Sequence, residues 1–267
     1  MQVQGLEKHY SSRGRRWSTE RSRVQALEAV DLTITSGATL AVVGESGSGK
    51  STLARCLARL ETPSAGRIWF EGTDIATLSG PDLLPVRRKI QLIFQDAATA
   101  LNPRFSAWEI VAEPLTILRQ GSGRQRRRRA IELLEIVGLS PQAADRRPLE
   151  FSGGQRQRLA IARALAAEPK ILILDESLSA LDISMQAQIV DLLLDLQQER
   201  SLTYLLISHD LGLVADVADE AVVLYQGRIV ERGRPAVLLE RPQHAHTRAL
   251  AAAFQLSETR LAEAPQE

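Results

Sequence analysis

Cysteine is almost absent from this chain. Cys56 is the only one among 267 residues, which excludes an internal disulfide, a multi-cysteine metal site and a cysteine-ligated iron–sulfur cluster. No apolar run approaches the ~18 residues that a membrane-crossing helix needs. The N-terminal segment has no apolar core of the kind a secretory signal carries. Net charge is also nearly nil. Lys and Arg total 33 against 32 Asp and Glu, a formal +1, so no global field draws the chain to nucleic acid. No internal repeat or long heptad pattern is evident. What remains is the composition of an ordinary globular protein, long enough to bury a sizeable core.

Three stretches carry chemistry. The first, Gly44-Glu45-Ser46-Gly47-Ser48-Gly49-Lys50-Ser51, is a full match to G-x-x-x-x-G-K-[ST]. Before it stands an apolar run, Leu40 to Val43, that reads as a strand covered on both faces. After it, residues 51–60 read as a helix, and strand–loop–helix is the setting this motif requires. Glycines let the backbone come close to phosphate, and a helix N-terminus adds partial positive charge. Lys50 reaches the β- and γ-phosphates, Ser51 offers a hydroxyl to Mg²⁺, and Thr52 adds a phosphate contact. The second stretch is Ser152-Gly153-Gly154-Gln155 after Phe151. Ser152 is a natural cap for a helix over 155–166, whose N–H groups would face an anion. The third, Ile171-Leu172-Ile173-Leu174-Asp175-Glu176, is a buried strand ending in two acids.

In that order the three resemble the ATP-binding subunit of an ABC (ATP-binding cassette) transporter, from about Leu6 to about Leu250. The resemblance implies an α/β fold: a P-loop NTPase, RecA-like core with an N-terminal antiparallel β part and an inserted α-helical lobe at about 96–150. It implies an ATP-binding domain over 1–241 and a tail over 242–267. It also assigns roles. Tyr10 stacks on adenine, Gly44 to Thr52 hold the phosphates, and Asp175 holds Mg²⁺ with Ser51. Gln95, after a strand predicted over 90–94, contacts Mg²⁺ and the attacking water. Glu176 deprotonates that water, and His209, after a strand over 204–207, senses the γ-phosphate. Asp182, in Ser179-Ala180-Leu181-Asp182, reaches across to a second cassette. Ser152 to Gln155 bind the nucleotide held by that second cassette.

Two further stretches narrow the resemblance. Gln95-Asp96-Ala97-Ala98-Thr99-Ala100-Leu101-Asn102-Pro103-Arg104 is similar to a stretch in cassettes of peptide and nickel importers, with Ala97 in place of the usual proline. Pro242 to Leu250 looks like the His-Pro-Tyr-Thr-x-x-Leu tail of the same group, with Ala245 and His246 departing from Pro and Tyr. The implied function is an ATPase that energises import of peptides or nickel from the cytoplasmic face of the membrane. Its implied partners are two transmembrane permease subunits, a second cassette and, indirectly, an extracytoplasmic solute-binding protein.

Alternatives stand beside this reading. Another solute or export would use the same machinery, and soluble cassettes serve translation and DNA repair. A small-molecule kinase shares the phosphate loop but leaves Ser152 to Gln155 unexplained. The arginine-rich segments, 13–23 and 124–129, fit a solvated loop and a solvated helix start better than a lipid or nucleic-acid surface. His244 and His246, lacking a nearby carboxylate or cysteine in sequence, read as a surface turn and not as a nickel site.

Overall fold

The computed structural model describes residues 1–11, 23–94, 97–178 and 181–262. In chain order the elements are β1 (Gln2–Ser11), β2 (Arg23–Thr33), β3 (Thr39–Val43), α1 (Lys50–Leu57), β4 (Ala65–Phe70), β5 (Thr73–Asp74), α2 (Leu83–Lys89), β6 (Ile90–Ile93), α3 (Ala97–Ala100), α4 (Ala107–Ile117), α5 (Gly123–Ile136), α6 (Gly153–Ala166), β7 (Ile171–Asp175), α7 (Ile183–Arg200), β8 (Thr203–Ser208), α8 (Leu211–Val217), β9 (Glu220–Tyr225), β10 (Arg228–Gly233), α9 (Pro235–Glu240) and α10 (Ala245–Ala262). They form two units: residues 1–83 with 205–267, and residues 84–204.

The first unit contains an antiparallel sheet ordered β2-β1-β4-β5. In β2 the side chains of Leu27, Val30 and Leu32 are buried, and a register shift at Ala29, φ +46, brings Leu27 and Val30, three residues apart, to the same side. Strand β3 is buried at every residue. It pairs in parallel with β9, which turns back as the antiparallel β10. The loop predicted over 11–23 falls outside the described residues except where β1 and β2 reach into it. Helix α1 is shorter than the spacing predicts. Ala58 closes it, and Arg59 follows at φ +53. That buried guanidinium donates to the carbonyls of Ile75, Glu61 and Leu78, so it satisfies backbone acceptors that a continued helix would have left elsewhere.

In the second unit β6 and β7 pair in parallel. Helices α4, α5 and α6 pack on one another, burying Ile110, Val111, Leu133, Leu134, Leu159 and Ile161. This is the helical lobe. Capping boxes start all three: Ser106 with Glu109, Ser122 with Gln125, and Ser152 with Gln155. Each satisfies helix-end N–H groups that would otherwise lack partners. The basic run begins α5, and its charges meet protein. Arg127 pairs with Asp145 and lies over the Trp108 ring, Arg128 and Arg129 pair with Glu132, and Arg126 donates to the Gln120 carbonyl. Phe151, just before the Ser-Gly-Gly-Gln segment, is buried.

Candidate nucleotide site

In the first unit, β3 ends at Val43 and hands the chain to the phosphate loop. The loop is wedged between β2 and the β9–β10 hairpin. A Cβ on Gly44 would lie 2.2 Å from the Leu224 carbonyl oxygen, and one on Gly49 would lie 2.4 Å from the Ala26 oxygen. Gly227 donates its N–H to the Ser48 carbonyl at 2.9 Å. The hairpin is therefore the floor of the loop. Lys50, the first residue of α1, is buried, and its Nζ donates to the Gly44 carbonyl at 2.7 Å and the Glu45 carbonyl at 2.9 Å. A buried ammonium needs such acceptors, and here they fold the cation back over the loop itself. Glu45, Ser46 and Gly47 are exposed at its rim, Ser48 is buried, and Ser51 and Thr52 are half-buried in the first turn of α1.

Tyr10 lies near the end of β1 and is 37% exposed. Its hydroxyl donates to Glu61, and Lys8 Nζ sits 5.0 Å from the ring centroid. Arg55 of α1 and Lys8 both stand within ion-pair range of Glu61. Burial, and then the Glu61 bond, raise the Tyr10 pKa, so the phenol stays neutral. His209 is exposed just past β8, a buried strand, and just before Asp210, which caps α8.

The second unit holds the acids and the Ser-Gly-Gly-Gln segment. Asp175 ends β7 only 4% exposed. Glu176 follows at φ +47, a left-handed conformation uncommon outside glycine. At Ser152 the capping is reciprocal: Gln155 donates its N–H to the Ser152 hydroxyl, and Ser152 N–H donates to the Gln155 side chain. Asp182 caps α7 by accepting from the Met185 N–H at 2.9 Å. The two helix starts meet, since a Cβ on Gly154 would lie 2.3 Å from Met185 Sδ. Gln95, with Asp96, and Ser179-Ala180 lie outside the described residues.

Two features escaped the sequence reading. Glu61 carries no motif, yet it ties Tyr10 to α1. His246 is not in a surface turn: it is 9% exposed, in the first turn of α10, with its ring against Tyr225. Its aromatic partner sits 21 residues upstream, beyond the reach of local pattern. Among the described residues no group of three or more His, Cys, Asp and Glu is gathered to hold a metal ion.

Comparison with known proteins follows the same lines. A family model described as ABC transporter matches residues 27–179. A probable peptide ABC transporter ATP-binding protein of Sinorhizobium fredii is 49% identical over 253 residues, covering 95% of this chain and 72% of that protein. A putative peptide import ATP-binding protein of Brucella ovis is 47% identical, covering 95% and 78%. A glutathione import ATP-binding protein of Salmonella choleraesuis is 46% identical over 97% of this chain and 41% of its own length. Among solved structures, the dimeric post-hydrolysis state of an ATP-binding cassette bound to ADP and Pi superposes with TM-score 0.77 at 32% identity, covering 88% of this chain and 98% of that one. The cbiO1 cassette of Clostridium perfringens, part of the cbiONQ transporter complex, gives 0.75 at 27% identity, covering 97% and 94%.

Proposed function

Because the chain belongs to the ABC transporter family as an ATP-binding cassette, we propose that it is the ATP-hydrolysing subunit of an importer for peptides. The observation that carries this reading is the presence of two phosphate-directed devices in one chain: the loop over Lys50 and the capped helix start at Ser152. One loop suffices for a kinase; a helix start aimed at a second copy's nucleotide is needed only where two cassettes close on ATP. The relatives are named for peptide and glutathione import. Glutathione is itself a tripeptide, and this favours peptides over nickel.

Each residue then has a task. Gly44 to Thr52 hold the phosphates, with Lys50 on the β- and γ-phosphates. The Ser51 hydroxyl, half-buried in the first turn of α1, and the Asp175 carboxylate are each hard oxygen donors of the kind Mg²⁺ takes. The ion would neutralise charge on the β- and γ-phosphate oxygens. Gln95 orients the attacking water, Glu176 takes its proton, and His209 senses the γ-phosphate. Ser152 to Gln155 serve the nucleotide of the opposite cassette, and Asp182 reaches toward it. ATP binding closes the pair and hydrolysis reopens it, driving two permease subunits at the cytoplasmic face of the membrane. No described helix is long and apolar enough to cross a membrane, so the pore belongs to those subunits.

Affinity capture of the chain from its native membranes, with mass spectrometry of what it brings along, tests the assignment. Two multi-span permeases and a second cassette are expected. Ribosomes or DNA in their place would refute import while leaving the ATPase chemistry standing. The adenine role of Tyr10 has its own test. Stacking on an aromatic face contributes about 1–3 kcal/mol, so Tyr10→Ala should raise the ATP Kd by roughly 5- to 150-fold, as read by calorimetry. An unchanged Kd would remove Tyr10 from the site.

A further inference from the structure

Pro242 to Leu250 enters as a subfamily signature with no task of its own. The structure gives it neighbours, all within the first unit. Gln243 and His244 direct their N–H groups onto the Glu231 carboxylate at 2.8 and 2.9 Å, which seats the start of α10 on β10. His246 lies just inside that helix. Its ring rests on Tyr225, with centroids 4.2 Å apart and planes inclined by 32°. Its Nδ1 stands 3.8 Å from Glu45 Oε1. Glu45 is a residue of the phosphate loop. Tyr225 follows Leu224, the residue whose carbonyl crowds Gly44, and it precedes by two Gly227, which bonds Ser48. Thus α10 reaches the phosphate loop by two routes, directly at Glu45 and through the hairpin beneath it.

The ring nitrogens support a fixed orientation. His246 Nε2 is buried without a hydrogen-bond partner. A neutral imidazole has one N–H and one acceptor nitrogen. With the proton on Nδ1, the ring nitrogen nearer Glu45 is the donor and the orphan is an acceptor, which proteins tolerate better than an orphaned buried N–H. Tyr225 fixes the ring plane, so Glu45 has a constant neighbour on a side chain with little freedom of its own.

From these contacts we infer that His246 is a positioning residue for the phosphate loop: seated on Tyr225, it steadies Glu45 and with it the backbone that takes the nucleotide's phosphates. The proposal rests on the assignment of residues 44–52 to ATP. Calorimetric titration of the full chain with MgATP tests it. His246→Ala and His246→Phe should each raise the Kd about 3- to 10-fold, the scale of a well-placed contact between neighbouring side chains. His246→Phe keeps an aromatic ring on Tyr225, so it reports on Glu45 even if His246→Ala fails to fold. In a Glu45→Ala background His246→Phe, which keeps the ring on Tyr225, should not weaken binding further. A merely structural histidine would lower the melting temperature in both backgrounds and leave the Kd alone. An unchanged Kd in His246→Phe, or an equal loss with and without Glu45, overturns the proposal. Should the unaltered chain itself fail to bind MgATP, the ATP assignment falls, and this proposal with it.

Discussion

Glu176→Gln is expected to bind MgATP as the unaltered chain does, to pair with a second cassette around it, and to hydrolyse it about 10²–10⁴-fold more slowly. The amide matches the carboxylate in size and can still hydrogen-bond a water, but it cannot take the water's proton. The rest of phosphoryl transfer is positioning and charge stabilisation, so a residue of activity should survive. Phosphate release, measured beside light scattering of the ATP-bound pair, separates the two halves of the expectation. Brisk turnover would assign the base elsewhere.

Gly49→Ala is expected to cost about 2–4 kcal/mol of stability and to abolish measurable ATP binding. Gly49 lies at φ +110, and its added methyl would stand 2.4 Å from the Ala26 carbonyl oxygen. That oxygen belongs to β2 and cannot swing away as a side chain can. The loop would have to lift, and Lys50, whose Nζ depends on the carbonyls of Gly44 and Glu45, would lift with it. Thermal unfolding and calorimetry report the two effects. A variant that melts normally and binds ATP would show that the loop tolerates a wider path than its packing indicates.

Much of this was legible in the sequence, because much of it is local. The phosphate loop lies between a fully buried run, Leu40 to Val43, and a helix, and its residues state their own chemistry. Capping boxes can be read at a spacing of three. The segment Ser152 to Gln155 therefore announces its helix. The ion pairs of the α5 arginines with Asp145 and Glu132 agree with a solvated helix start. Distant contacts left no such trace. That the β9–β10 hairpin floors the phosphate loop depends on Leu224 meeting Gly44, 180 residues apart in sequence. Periodicity reports which face of an element is apolar, not what covers it. For the same reason His246 looked exposed, since the aromatic ring it packs on belongs to another strand. Nothing in the sequence marked Glu61 either, because its importance comes from Tyr10, Lys8 and Arg55 converging on one carboxylate.

The meeting of Gly154 with Met185 bears on how the chain can vary over generations. With Sδ placed 2.3 Å from where a methyl on residue 154 would sit, a side chain at 154 is admissible once Met185 has turned aside or been replaced by a shorter residue. The helix start at Ser152 and the helix start capped by Asp182 therefore limit each other's substitutions.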